Sequence, residues 1–328
     1  MPVTDNYGRS IISLRVSVTD RCNFSCSYCM PENNVEWFPH EEILTYEELI
    51  RLVKIFAGLG IRKVKVTGGE PTMRRDLHLF IGQLYTIAGI QDISLTTNGY
   101  FLDTQARLLE DAGLSRITVS LDSLKEDRFN YIVRRSIFKK IYNNILSLRQ
   151  TSLKPVKINA VVIRGFNDDE VLDFIRFAQE TGFIIRFIEF MPLDGDGQWS
   201  KDQVVPLEEM LATVRSRYEL VKIGDTGPDS PSERYRLTDG TAEIGFIPTV
   251  SNPFCMHCGR IRITADGHLR TCLFSHHETD CKSLIRGSAD DDEIREVVRN
   301  ALVNKEEGHI ISRKEFKQPS RRMYQIGG

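Results

Sequence analysis

The chain of 328 residues has no uninterrupted apolar stretch long enough to span a bilayer, which argues against a helical membrane protein. Its first residues, Met1-Pro2-Val3-Thr4-Asp5, lack the charged-then-apolar pattern of an export signal. Neither sign of charge dominates. Lys+Arg number 43 against 45 Asp+Glu, a net charge of -2, so any pull on nucleic acid or membrane must be local. Internal repeats and low-complexity tracts are missing as well. So is a disulfide framework: the 7 cysteines are an odd number, and six of them fall into two triplets. Such a pattern fits a cytoplasmic protein that keeps its thiols reduced for metal. With 41% hydrophobic residues, the length suffices for one large core and a smaller unit.

The first triplet is Cys22, Cys26 and Cys29 in Cys22-Asn23-Phe24-Ser25-Cys26-Ser27-Tyr28-Cys29, directly after the strand-like run Ile12–Thr19. Three thiolates in that span can hold three irons of a [4Fe–4S] cluster and leave the fourth iron open for chemistry. The alternative is a zinc knot. It would want a fourth ligand nearby, and His40 lies outside the usual spacing. The C-x3-C-x2-C spacing, with an aromatic before the last cysteine, resembles the signature of the radical S-adenosylmethionine (SAM) enzymes.

Downstream, Thr45-Tyr46-Glu47-Glu48 reads as a capping box opening a helix with an apolar stripe of Leu49, Leu52, Val53 and Phe56. Strands are predicted at Lys63–Thr67, Ile93–Thr97, Ile117–Leu121, Val156–Val162 and Ile184–Phe190. Helices are predicted between them, at Leu77–Ala88, at Thr104–Ala112 closed by Gly113, through Leu148, and at Asp168–Thr181 closed by Gly182. With the first run this makes six βα units and a parallel sheet. Several strands alternate, although a strand covered by helices on both sides should be apolar throughout. Ser13, Arg15 and Ser17 share one face; so do Lys63, Lys65 and Thr67, then Thr118 and Ser120, then Lys157 and Asn159. Such rows predict a partial, TIM-like (βα)6 barrel with a wet interior, and a doubly wound sheet is the competitor. A helix is expected at Pro206–Arg217, and the Gly, Pro, Ser and Asp cluster Gly224–Glu233 marks a domain boundary. It divides the chain into 1–224 and an α+β extension, 225–328.

The second triplet is Cys255, Cys258 and Cys272. Between its last two members lie alternating runs joined by Asp266-Gly267, a hairpin signal that returns Cys272 toward Cys258. Period two puts Arg260 and Arg262 on one face beside these thiols, a pair suited to phosphate oxygens. A structural zinc ribbon competes here, with Cys281, His257, His268 or His276 as fourth ligand.

The motifs in sequence order are similar to those of the GTP 3′,8-cyclase family of molybdenum-cofactor biosynthesis. They are Thr19-Asp20-Arg21-Cys22-Asn23, Thr67-Gly68-Gly69-Glu70-Pro71, Thr96-Thr97-Asn98-Gly99-Tyr100, Val119-Ser120-Leu121-Asp122-Ser123, Arg186-Phe187-Ile188-Glu189-Phe190-Met191, Phe254-Cys255 to Arg262, Cys272-Leu273-Phe274 and the terminal Gly327-Gly328. The resemblance implies two [4Fe–4S] clusters, on Cys22, Cys26 and Cys29 and on Cys255, Cys258 and Cys272. It implies a SAM site at Tyr28, Gly69, Ser120 and Met191. GTP would be bound by Arg15, Lys65, Thr96, Lys157, Arg260, Ile261 and Arg262, with Arg186 near the reacting ring and the Gly327-Gly328 tail organising the site. It also implies a flavodoxin- or ferredoxin-type electron donor, a downstream cyclic pyranopterin monophosphate synthase, and a homodimer that binds neither nucleic acid nor membrane. A radical SAM peptide-modifying enzyme and a non-catalytic zinc-ribbon protein are the alternatives. Two departures stand out: Gly259 replaces the family's usual Asn, and Ile132-Val133-Arg134-Arg135 differs in a loop expected to touch no ligand position. Cys281 is left without a role.

Overall fold

The computed structural model describes residues 1–194, 196–224, 230–309, 311 and 316–328. In chain order, β1 (Ser13–Ser17) runs into the first cysteine loop, and α1 (Tyr46–Gly58) returns the chain to β2 (Lys63–Thr67). Then come α2 (Leu77–Tyr85), β3 (Asp92–Thr97), α3 (Leu102–Asp111), β4 (Arg116–Ser120), α4 (Glu126–Val133) and α5 (Phe138–Ser147). The series continues with β5 (Lys157–Val162), α6 (Val171–Thr181), β6 (Ile184–Glu189), α7 (Leu207–Arg215) and β7 (Leu220–Ile223). The remaining elements are β8 (Glu233–Leu237), β9 (Glu243–Ile247), β10 (Arg260–Ile263), β11 (His268–Arg270), β12 (Thr279–Asp280), α8 (Cys281–Arg286), α9 (Asp291–Val303) and α10 (Met323–Ile326).

Local chemistry sets the ends of these elements. At α1 the Glu48 amide donates to Thr45 Oγ1 at 3.2 Å, and the Thr45 amide donates to Glu48 Oε2 at 2.7 Å. That closes both halves of the capping box. Leu49, Leu52, Val53 and Phe56 are all fully buried, each stabilising the fold by about 1.5–3 kcal/mol; Leu52→Ala would cost roughly 2–5 kcal/mol. Helix α6 ends on Gly182 at φ +72°, where the glycine amide donates to the Ala178 carbonyl. Helix α2 stops at Tyr85, short of the expected Ala88. Its last turn tightens there, with Thr86 and Ile87 bonding back to Gln83 and Leu84.

The strands lie in one sheet, ordered β12-β11-β10-β1-β2-β3-β4-β5-β6-β9-β8-β7. Strands β1 to β6 are parallel and in sequence order, as a chain of right-handed crossovers requires. Leu14, Val16, Val64, Val66, Ile158, Ala160, Ile185 and Phe187 are fully buried in the main core cluster. Their polar neighbours on each strand face the other way, into the barrel. Ser13, Arg15, Lys63, Lys65, Thr67, Thr118, Ser120, Lys157 and Asn159 all line its interior cavity. The alternation in the sequence is therefore that of a partial barrel with a polar lumen.

The C-terminal third extends this sheet at both flanks. Strand β9 pairs in parallel with β6, and β10 pairs in parallel with β1. These two strands are neighbours in sequence but stand on opposite sides of the barrel. The connection between them crosses the open side and carries Cys255 and Cys258. The Gly259 carbonyl accepts from the amides of Ile12 and Ser13 at 3.1 and 3.2 Å, continuing the ladder through its backbone alone. Of the expected boundary segment Gly224–Glu233, residues 225–229 lie outside the described residues.

Candidate active site

The first cysteine loop leaves the C-terminal end of β1 and is gripped by the segment that leaves β2. The Gly69 amide donates to the Thr19 carbonyl and the Glu70 amide to the Arg21 carbonyl, both at 2.7 Å. A Cβ on Gly69 would stand 2.3 Å from the Asp20 oxygen and 2.4 Å from that of Arg21, so the approach requires glycine. Glu70, buried, accepts from the Thr72 amide, the Thr97 hydroxyl and the Asn98 amide at 3.0, 2.7 and 2.6 Å. Burial raises its pKa, and those donors oppose the rise. Asn98 in turn donates from Nδ2 to Asn23 Oδ1 at 2.8 Å and reaches Cys22 Sγ at 3.8 Å.

Ile132–Arg135 engages this loop at residues between the cysteines rather than at the cysteines themselves. The Ile132 carbonyl accepts from the Ser27 amide at 3.0 Å, and Arg135 Nη1 donates to the Asn23 carbonyl at 2.6 Å. The turn at Arg134, φ +55°, brings α4 back to the loop between the cysteines. Tyr28 donates its hydroxyl to Asp122 Oδ2 at 2.7 Å, and Asp122 Oδ1 accepts from the Val161 amide at 2.8 Å. Burial pushes the Asp122 carboxyl up to about 6. Gly69, Ser120 and Met191 line the same cavity as Tyr28.

The second triplet faces that cavity from the crossing connection. Cys255 and Cys258 are held in a tight turn, the Cys258 amide donating to the Cys255 carbonyl at 3.1 Å. The β10–β11 hairpin closes through the Thr264 amide to the His268 carbonyl at 3.0 Å, with Gly267 at φ +81°, and delivers Cys272. Burial pushes the Cys258 thiol up, but Arg260 and Lys305 outweigh it and bring it to about 6. The zinc-ribbon ligand set does not assemble. Cys281 is fully buried in the main core, and His268 Nδ1 is engaged by Asp266 Oδ2 at 3.0 Å. Among the described residues no trio of His, Cys, Asp or Glu is placed to hold a single metal ion. Two sets of three thiols bordering one cavity of about 390 Å³ suit larger cofactors with an open side.

Between the triplets the cavity is cationic. Across β10, β1 and β2, Arg262, Arg15 and Lys65 stand side by side in register. Thr96, Lys157, Arg186 and Arg260 complete the wall. Arg186 donates to Asn159 Oδ1 at 2.9 Å and to Thr118 Oγ1 at 3.2 Å, and Lys65 reaches the same hydroxyl at 3.4 Å. Burial, then the neighbouring cations, lower Arg15, Lys65, Arg262 and Arg186, and bring Lys157 down to about 8. Buried like charges at this density call for a polyanion. Ile261 belongs to the hydrophobic core, so what it offers the cavity is backbone.

The carboxyl terminus closes the site. Gly327 gives its carbonyl to Arg262 Nη1 at 2.7 Å, and Gly328 accepts from the Thr67 hydroxyl. Gly327 has φ +88°, and a Cβ there would stand 2.9 Å from that of Ser17. Tyr324 anchors the segment, its hydroxyl on the Glu36 carbonyl at 3.1 Å and its ring edge-on to Trp37. Of the residues that the resemblance assigns to the clusters, SAM, GTP or the tail, all but Gly327 line the cavity, and Gly327 touches a residue that does. Asn98, Glu70 and Asp122 sat inside the quoted motifs without being assigned a role. Lys305 and Arg9 carried no signal at all.

The Radical SAM superfamily profile matches residues 16–178, and the Molybdenum Cofactor Synthesis C profile matches residues 183–311. The GTP 3′,8-cyclase of Syntrophomonas wolfei is 42% identical over 324 residues, covering 99% of this chain and 99% of that protein. The chain belongs to the GTP 3′,8-cyclase family. The family's members from Moorella thermoacetica, 42% identical over 99% of both chains, and Streptomyces coelicolor, 41% identical over 99% of this chain and 96% of that one, agree. Among solved structures, Streptococcus suis SuiB bound to S-adenosylmethionine shares the fold, with a TM-score of 0.63 at 14% identity over 96% of this chain and 77% of that one. Native anSMEcpe with bound AdoMet gives 0.51 at 20%, over 63% of this chain and 60% of that one. At such identities these two likenesses speak to the fold alone.

Proposed function

We propose that the chain converts GTP to (8S)-3′,8-cyclo-7,8-dihydroguanosine 5′-triphosphate, the first step of molybdenum-cofactor biosynthesis. The observation that carries this reading is the buried set of cations lying between two cysteine triplets in one cavity. It works with SAM and two [4Fe–4S] clusters. Cys22, Cys26 and Cys29 would hold one cluster, and Cys255, Cys258 and Cys272 would hold the other. The first cluster with SAM, when bound, would supply one-electron reductive chemistry able to remove hydrogen from an unactivated C–H bond.

The chain's own residues bind and orient. Tyr28, Gly69, Ser120 and Met191 place SAM. Arg15, Lys65, Lys157, Arg260 and Arg262 neutralise the triphosphate and guanine edge, Ile261 offers backbone and Thr96 a hydroxyl. That array fixes the ribose C3′ and guanine C8 of one nucleotide at bonding distance, so the cyclisation needs no further encounter. Arg186, braced through Nε and Nη2 by Asn159 and Thr118, would offer its remaining N–H groups to the guanine ring. Gly327 and Gly328 pack over the paired ends of β1 and β2, against Ser17 and Thr67, and keep water from the reacting centre.

In this reading residues 1–224 perform the radical chemistry and 225–328 carry the second cluster and tail. The electron comes from a flavodoxin or ferredoxin, the product passes to cyclic pyranopterin monophosphate synthase, and the enzyme works as a cytoplasmic homodimer. Among the described residues no helix is long and apolar enough to cross a membrane. Anaerobic incubation with SAM, GTP and a reductant, followed by chromatography and fragmentation of the nucleotide, tests the activity. A new nucleotide isomeric with GTP, formed alongside 5′-deoxyadenosine, is expected; SAM cleavage with GTP unaltered would refute it.

A further inference from the structure

The second triplet is backed by a buried cation that the catalytic reading does not use. Lys305, just beyond the end of α9, is only 2% exposed. Its Nζ donates to the Thr271 carbonyl, the residue next to Cys272. Among the described residues no carboxylate stands within ion-pair distance of it. The nearby Glu306 carboxylate accepts from the hydroxyls of Thr271 and Ser275 and feels Lys305 only as a more distant charge. Isolated buried ammonium groups are costly unless an anion is near.

The surroundings fix Lys305 against the cysteines. Arg9, itself buried and paired with Asp5 at 2.6 Å, donates to the Cys255 carbonyl at 2.9 Å and to the Glu307 carbonyl at 2.7 Å. From its other nitrogen it reaches the carbonyls of Glu306 and Lys305. One guanidinium thus staples the 305–307 backbone to the second cysteine turn. Gly308 lies so close that a Cβ there would stand 2.6 Å from the Cβ of Cys255 and 3.0 Å from its sulfur.

We propose that Lys305 is the built-in counter-cation of the second cluster: fixed on the Thr271 carbonyl, it stabilises the reduced cluster and so sets its reduction potential. The proposal rests on assigning Cys255, Cys258 and Cys272 to that cluster. A cubane held by three thiolates is net anionic, and one-electron reduction adds a further negative charge. A buried cation alongside therefore favours the reduced form, and removing it drives the potential negative. No bond is made or broken, and the electron comes from the external reductant.

The test is a redox titration of the two-cluster protein followed by electron paramagnetic resonance, in Lys305→Met and Lys305→Arg. The second cluster's signal is identified as the one that persists in Cys26→Ala. In Lys305→Met the second midpoint should fall by at least a tenfold change in the equilibrium constant, about 59 mV, with the first unmoved. Lys305→Arg should bring it back. Loss of the second cluster's iron in the Met variant alone also supports a need for charge. An unchanged midpoint at full iron content, or loss of that iron in both variants, overturns the proposal. If the unaltered protein contains the iron of one cluster only, the cysteine assignment itself has failed, and iron analysis separates that result from the others.

Discussion

The Arg262 guanidinium donates from Nη1 to the carbonyl oxygen of Gly327 at 2.7 Å, tying the last residues of the chain to the cationic wall of the barrel. Arg262 is 7% exposed, and the same side chain stands in register with Arg15. Tail and cationic wall are therefore mechanically one unit. Deleting Gly327 and Gly328 should leave iron content and the thermal unfolding midpoint unchanged while largely abolishing cyclisation. A peptide copying the last residues, added in trans, should restore part of it. Full turnover by the truncated protein would mean that the tail does nothing at the site.

Arg262 itself should matter for nucleotide affinity. Arg262→Ala is expected to weaken GTP binding by roughly 1.5–3 kcal/mol, the scale of hydrogen bonds to a charged group. Calorimetry on the cluster-loaded protein reads this directly, and an unchanged affinity would remove Arg262 from the substrate site.

The two triplets should be separable. Cys26→Ala is expected to abolish reductive SAM cleavage. Cys258→Ala should keep some cleavage yet yield no cyclised nucleotide. Equal loss of cleavage in both variants, with the fold intact, would count against the division of labour.

Gly69, assigned above to the SAM site, also offers a test in which no charge and no cysteine is altered. A methyl group there meets the carbonyl oxygens of Asp20 and Arg21 at under-contact distances, so the loop before Cys22 must move. Gly69→Ala should lower the iron bound at the first triplet and spare the second. Full iron at both sites would show that the loop yields without disturbing the cysteines.

The interior was legible because strands carry a parity. Arg15, Lys65, Ser120 and Lys157 fall on inward positions of their strands, and the structure places them in one cavity. The capping box at Thr45 and the hairpin at Gly267 were legible for the same reason, being local. What the sequence hid is long-range. Nothing in Glu243–Ile247 or Arg260–Ile263 says that these strands add to opposite flanks of one sheet. The Asn98 reach to Cys22 and the Lys305 bond to Thr271 join residues far apart in sequence, through side chains that no periodicity marks. The contact of the Ile132–Arg135 loop with Asn23 was hidden likewise, because the elements from α1 to α4 separate the two in sequence.

Lys157 gives a prediction about pH. Burial, followed by Arg186, Arg116 and Arg234, brings it from 10.5 to about 8 in the ligand-free fold. Its folded pKa lies below its unfolded value, so it disfavours the fold below about 8, and stability rises as pH climbs from 8 toward 10.5. A bound triphosphate favours the charged form. GTP binding just above pH 8 should therefore take up a proton, and affinity should fall as pH rises through that value. Calorimetry in buffers of different ionisation heat measures the uptake. It should diminish in Lys157→Met, whose ligand-free form should also melt at a higher temperature near pH 7; undiminished uptake in that variant would assign the proton elsewhere.

The central claim is that the cationic cavity holds GTP with its ribose facing the SAM site, and isotope transfer tests it most directly. The cluster-loaded protein is incubated anaerobically with SAM, a reductant and GTP carrying deuterium at C3′. The account predicts 5′-deoxyadenosine that contains the deuterium, together with a cyclised nucleotide that has lost it. Unlabelled 5′-deoxyadenosine with the deuterated GTP returned intact would contradict it.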